Sequence, residues 1–100
     1  MANRMKNRAQ SLSKEEAHDV AVAVFGRIAA DDERLGRLLD LTGLRPDTIR
    51  AAAASPRFFE AVLEHVVGYE PLLIEIAREL AMRPEAIVAA HARLAPAPLD

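Results

Sequence analysis

Three histidines, His18, His65 and His91, have the widest chemical repertoire in this 100-residue chain. An imidazole can bind a metal ion or move a proton near neutral pH, provided that partner side chains lie at suitable spacing. No histidine lies three or four residues from another, and Glu15 and Asp19 surround His18 on what reads as an exposed helix face. His91 lies among apolar positions and should be partly buried. We therefore expect no metal site and no cofactor.

Other catalytic groups are equally scarce. The chain has no cysteine, which removes thiolate nucleophiles, disulfides and cysteine-based zinc sites. Its four glycines stand alone, so no glycine-rich loop could hold a phosphate group. Pairs of acids occur at helix starts, where capping explains them. These observations favour a protein that is not an enzyme.

One segment has the spacing of a helix-turn-helix. In Leu38–Arg50, Gly43 permits a left-handed turn, Leu44 can fill the elbow, and Ile49 can hold the second helix on the first. Any two helices joined by a tight turn need the same three packing residues. The pattern is therefore more typical of a plain helical corner than of a DNA-binding motif.

The side chains available for nucleic acid are few. The candidate recognition helix has only Thr48 and Arg50, with Arg57 just beyond it, while Asp47 would face an anionic backbone. A second source of positive charge is the N-terminal segment with Arg4, Lys6 and Arg8. Nucleic-acid binding is therefore the alternative function, disfavoured by an acidic body.

A short phrase occurs twice along the chain, beginning at Leu44 and again at Met82. Each copy has a large apolar residue, Arg-Pro, an acid, then Ile and two alanines. Proline at the first turn of a helix predicts a turn followed by a helix in both places. Apolar positions also align between the halves, which is consistent with two tandem three-helix units about a pseudo-two-fold axis. Chance alignment of helical patterns is the other explanation.

Apolar residues recur at helical spacing throughout, and no segment alternates as a strand does. Ser13 and Glu16 have the spacing of a capping box before the first helix. Gly43 should end the second helix, Pro46 should start a third that runs to Ser55, and three more follow. We predict an all-α bundle of about six short helices. Phe58 and Phe59 are expected in its core rather than on its surface.

Composition and charge limit which class of protein this chain can be and how it is divided. Hydrophobic residues make up 51% of the chain, no apolar run approaches membrane-spanning length, and the net charge is −2. Residues 1–14 carry a charge of +4, so the remainder is near −6. We expect residues 1–12 to be a disordered basic tail, 13–94 a single helical domain, and 95–100 an Ala/Pro-rich tail. A soluble, cytoplasmic protein is the default expectation.

The segment Asp31–Pro46 and the later Phe58–Leu63 resemble a small alphaproteobacterial family, numbered 3572 among domains of unknown function. That pattern is an acid followed by Glu-Arg-Leu, then Leu-Thr-Gly-Leu with a nearby proline, then a Phe-containing helix. The resemblance covers roughly residues 15–93 and implies a short helical protein of bacterial, cytoplasmic origin. It implies no catalytic residue, ligand or partner.

Together these features predict a non-enzymatic protein-interaction or adaptor module. Val22, Ala23 and Ala29 lie off the main apolar stripe of the first helix, which would suit a protein partner or a homodimer.

Overall fold

A computed structural model describes residues 12–95, and within that range the chain forms six α-helices and no strand. The helices are α1 Lys14–Ala29, α2 Asp32–Thr42, α3 Ile49–Ala52, α4 Pro56–Val67, α5 Glu70–Glu79 and α6 Pro84–Leu94, with a 3₁₀ turn at Pro46–Thr48 before α3. The predicted all-α bundle is confirmed. In this part of the chain no helix is both long enough and apolar enough to cross a bilayer. The two predicted tails lie outside the described residues except for Leu12, which is half-buried against the core, and Ala95.

The predicted helix starts are stabilised by side-chain caps. The Ser13 hydroxyl accepts from the Glu16 backbone N–H at 3.0 Å, and the Ser13 N–H donates to Glu16 Oε1 at 2.9 Å. This is the capping box that the spacing predicts. Asp31 caps α2 by accepting two backbone N–H groups, and Ser55 caps α4 by accepting one. Each cap satisfies donors that a helix start leaves without an intrahelical partner.

The third helix is shorter than predicted. Instead of running from Pro46 to Ser55, the chain makes a 3₁₀ turn and then one α-turn that ends at Ala52. The Thr48 hydroxyl closes the first turn by donating to the Arg45 carbonyl at 3.0 Å. Pro56 disfavours helical backbone at Ser55, so the alanines before it close in a turn rather than extending α3.

The core lies where α1, α4 and α6 pack on one another, with α5 against them. α1 contributes a fully buried stripe at helical spacing, formed by Ala17, Ala21, Val24 and Ile28. Phe58 and Phe59 of α4 are buried, as expected, and Phe58 packs edge-to-face on Phe25 of α1 with ring centroids 5.1 Å apart. The aromatic pair therefore stabilises the bundle and is not a surface anchor.

The two halves pack unequally. α6 lies against both α1 and α4, whereas the four-residue α3 holds only peripheral contacts through the half-buried Ile49 and Ala52. An equivalent of the α1–α6 contact is therefore missing between α3 and α4 in the described structure. The internal repeat therefore stays a prediction.

Candidate functional site

A two-lobed cleft separates α2 from the end of α4 and the corner that leads into α5. Its larger lobe has a volume of about 740 Å³, within the range usual for ligand-binding clefts. We call the whole depression the α2–α4 cleft. The larger, apolar lobe is lined by Arg37, Leu41, Thr42, Ala61, Glu64, His65, Gly68 and Tyr69.

The second lobe is smaller and more polar, with a volume of about 390 Å³. Arg37, His65 and Tyr69 line both lobes and therefore mark the junction between them. The remaining walls of the polar lobe are Asp31, Glu33, Arg34, Pro71, Leu72 and Glu75. A ligand that spanned the junction would contact apolar surface on one side and acidic surface on the other.

Helix geometry places an unusual apolar side chain in the larger lobe. Leu38, one turn before Leu41 on α2, is fully buried, whereas Leu41, the penultimate residue of that helix, is 69% exposed. Just beyond Leu41, Thr42 donates its hydroxyl to the Leu38 carbonyl at 2.8 Å, and Gly43 ends the helix in a left-handed conformation. Leu41 is therefore held by a helix whose C-terminus is capped, and does not lie on a loop.

The opposite wall of the cleft contains the only tyrosine of the chain, Tyr69. It follows Gly68 at the end of α4 and has the extended backbone of a residue that precedes a helix, with φ of −132° and ψ of 95°. Tyr69 is 48% exposed. Leu41 and Tyr69 are the two most exposed large apolar side chains among the described residues, and both line the same lobe of the cleft.

Charge is unevenly distributed around the cleft. Arg34 is 15% exposed and bonds Glu75 at 2.9 Å and Glu79 at 2.8 Å, so its charge is neutralised within the fold. Glu79 also accepts from Arg27, which ties α1 and α2 to α5. Arg37, by contrast, makes no ion pair with any residue in the described range 12–95.

The two ion pairs of Glu79 also affect its titration. Hydrogen bonds from Arg34 and then Arg27 hold the pKa of the Glu79 carboxyl at about 2, below its ordinary value of 4.5. The same pairing raises the pKa of the Arg34 guanidinium. This network joins α1, α2 and α5 beside the polar lobe, and its two bases, Arg27 and Arg34, balance its two acids, Glu75 and Glu79.

His65 is half-buried at the junction of the lobes. Burial lowers the pKa of its imidazole below 6.5, and the charge of Arg37 lowers it further. His65 is therefore neutral at pH 7 and offers one N–H donor and one acceptor nitrogen. The positive charge at the junction comes from Arg37.

Three of the residues predicted for nucleic-acid contact lie between the 3₁₀ turn and the start of α4, and none of them lines the α2–α4 cleft. Thr48 uses its hydroxyl within its own turn, and Arg50 is exposed on the four-residue α3. Arg57 is exposed at the start of α4. A helix of one turn offers little length to lie along a DNA groove. The interpretation stays a prediction, and Arg4, Lys6 and Arg8 lie outside the described residues.

Sequence reasoning missed the residues that line this cleft. Leu41 follows Leu38 and Leu39 along the chain, which makes it look like part of the buried stripe of α2. Tyr69 lies in a two-residue connection between helices, where nothing local indicates a wall of a cleft. One signal was available, an isolated tyrosine directly after a helix-ending glycine.

Comparison with known proteins identifies a family but no characterised relative. Residues 14–97 match the family described as "Protein of unknown function (DUF3572)". Compared with curated proteins and with solved structures, the chain has no match. The match spans every helix described above and agrees with the family that the sequence resembles. The chain therefore belongs to the DUF3572 family.

Proposed function

We propose that this chain is a protein-interaction module whose α2–α4 cleft binds a short segment of another protein. The segment would place a large apolar side chain in the apolar lobe and Lys or Arg side chains at the polar lobe. The observation that carries this proposal is the exposure of Leu41, at 69%, and of Tyr69, at 48%, on facing walls of one cleft.

The apolar lobe supplies the main driving force. Fully burying one large apolar side chain stabilises an association by about 1.5–3 kcal/mol. Leu41 and Tyr69 together present such area from helix ends, and tyrosine is a residue type enriched at interface centres. Because Leu41 is on α2 and Tyr69 directly precedes α5, their backbones are held by helices and little backbone entropy would be lost when a partner covers them.

The polar lobe selects the charge of the partner. Of the charged side chains that line the two lobes, four are acidic and two are basic. One of those bases, Arg34, is already paired with Glu75 and Glu79. Glu33 is exposed and forms no ion pair among residues 12–95, and it would attract a basic side chain. Arg37 is the one lining charge that would oppose a basic segment.

Two other kinds of partner, a second copy of the chain and a nucleic acid, would use surfaces outside the cleft. A homodimer would use apolar surface outside the cleft, such as Val22 on α1 or Val88 on α6, which are 45% and 41% exposed. Nucleic acid would be repelled by the acidic lining and would instead use Arg50, Arg57 and the basic N-terminal segment. A cytoplasmic, bacterial setting belongs to the same proposal, since nothing in the argument depends on another compartment.

The test is an affinity enrichment with matched variants. Wild type, Leu41→Ser and Ile74→Ser are each immobilised and exposed to cell extract with and without nuclease. Ile74 is 41% exposed on α5 but does not line the cleft, so it controls for loss of apolar surface alone. Bound proteins are then quantified by mass spectrometry.

We expect a protein that is bound by wild type and Ile74→Ser, is lost at least tenfold with Leu41→Ser, and survives nuclease. Loss of the bound material on nuclease treatment would instead support nucleic-acid binding. Equal enrichment by all three forms would contradict the assignment of the cleft as the binding surface.

A further inference from the structure

Three metal-ligating side chains meet on the surface where α4 packs on α6. Glu60 and Glu64 are one turn apart on α4, and His91 extends from α6. One ligand atom from each lies within 4.8 Å of the other two. Glu60 and His91 are half-buried and Glu64 is exposed. The site is thus held by two packed helices and has one side open to solvent.

The charges of this group are not balanced within the fold. Two carboxylates at i and i+4 on one helix repel each other. Neither Glu60 nor Glu64 forms an ion pair with a Lys or Arg among residues 12–95. The side chain of His91 likewise forms no hydrogen bond to protein in that range. A divalent cation would supply the missing positive charge and use all three groups at once.

We propose that Glu60, Glu64 and His91 form a binding site for a first-row divalent transition-metal ion, for which Zn²⁺ is the probe. One imidazole nitrogen with two carboxylate oxygens suits Zn²⁺ better than Mg²⁺ or Ca²⁺, which take oxygen ligands. Three protein ligands leave a fourth position for water or for a group of another molecule.

Only small side-chain movements are needed to close the site. Zinc bonds to oxygen and nitrogen are about 2.1 Å long, so ligands on a tetrahedral ion are about 3.4 Å apart. The three side chains would therefore approach one another by about 1 Å. Rotation about the Glu64 side-chain torsions can supply most of this, because that residue is exposed. The helix backbones need not move.

The experiment uses the full chain without a histidine tag, freed of metal by a chelator. ZnCl₂ is titrated by calorimetry, and unfolding is followed by far-ultraviolet circular dichroism. We expect one ion per chain and a midpoint of thermal unfolding raised by about 5 °C or more at saturating zinc, because the ion joins α4 to α6. Co²⁺ should give a visible absorption band that zinc abolishes.

Two variants and one control decide the assignment. His91→Gln and Glu64→Gln should each lower zinc affinity at least ~10-fold, the loss usual even for residues one step removed from a metal. His18→Gln removes an imidazole that is not part of the group and should leave affinity unchanged. Absence of zinc binding would overturn the proposal, as would binding that persists unaltered in His91→Gln or Glu64→Gln.

Discussion

Gly43 and Ala81 place the same left-handed backbone conformation at the ends of two helices, with φ of 73° and 55°. They occupy matching positions just before the two copies of the repeated phrase. At Ala81 the Met82 N–H donates to the Ala77 carbonyl and the Ala81 N–H to the Arg78 carbonyl, which is a Schellman motif. At Gly43 a single bond to the Leu39 carbonyl ends the helix, and Thr42 accepts the next N–H. Only one of the two turns therefore has the residue type that its conformation favours.

Exchanging the residue types at these turns should change stability in opposite directions. Left-handed backbone costs an L-residue about 1–2 kcal/mol relative to glycine. Gly43→Ala should therefore lower the free energy of unfolding by about 1 kcal/mol, although a Cβ there would meet nothing within 4 Å. Ala81→Gly should relieve the strain at that position and raise the free energy of unfolding. The gain should be only about 0.5 kcal/mol, because glycine also increases the entropy of the unfolded chain, which partly offsets it. Urea unfolding measures both, and a stabilised Gly43→Ala would refute the described turn.

The ion pairs of Glu79 should make stability depend on acid. The folded pKa of Glu79 is about 2, below its ordinary 4.5, so the unfolded chain binds the proton first and stability falls as pH decreases from 4.5 through 2. Glu79→Gln should lower the free energy of unfolding by about 1 kcal/mol at pH 7. That difference from wild type should vanish towards pH 2.

A neighbouring acid provides the control for Glu79. Glu75 also pairs with Arg34 but is 64% exposed, so Glu75→Gln should cost much less. Unfolding by urea between pH 2 and 7 compares the two variants. A Glu75→Gln cost equal to that of Glu79→Gln would show that exposure does not separate the two pairs.

Charge reversal at the cleft should change partner binding with opposite signs. Glu33→Lys replaces an attractive charge by a repulsive one and should weaken binding of a basic segment, by roughly tenfold at low salt. Arg37→Glu removes the one unpaired cation among the lining residues and should strengthen it. Both effects should shrink as ionic strength rises, because exposed charges are screened. Effects of the same sign would mean that the partner is not basic.

His65 should reduce stability in mild acid. Burial and Arg37 hold its folded pKa below 6.5, so the unfolded chain takes up this proton first as pH falls below 6.5. The free energy of unfolding should therefore decrease from pH 6.5 downward, and His65→Gln should remove this part of the decrease. His18→Gln serves as the comparison, because it removes another imidazole outside the cleft. Identical pH profiles for wild type and His65→Gln would contradict the burial of this side chain.

Local chemistry made most of the fold predictable. Ser13, Asp31 and Ser55 indicate helix starts, because their short side chains accept hydrogen bonds from backbone N–H groups at the first turn. Donor and acceptor in each bond are two or three residues apart in sequence. Gly43 likewise ends α2 through its own backbone freedom. The sequence predicts too long a third helix, because its alanines favour helix. In the structure, Pro56 and the turn closed by Thr48 limit this helix to Ile49–Ala52.

Long-range packing made the candidate sites unpredictable. Leu41 and Tyr69 meet across a cleft only because α2 packs on α4, and the chain between them shows no pattern that requires it. His91 and Glu64 likewise come together only when α6 folds back along α4. A sequence pattern can indicate which face of a helix is apolar. It cannot indicate which exposed faces of two different helices will be adjacent after the helices pack.

Selection of peptides from a random display library against the full chain tests the cleft most directly. Selected peptides are then titrated while the fluorescence of Tyr69 is followed, since the chain has one Tyr and no Trp. We predict sequences with a large apolar residue beside Lys or Arg, a change in Tyr69 emission on binding, and binding lost in Leu41→Ser but kept in Ile74→Ser. Peptides that bind Leu41→Ser as tightly as wild type, without any change in Tyr69 emission, would contradict the account.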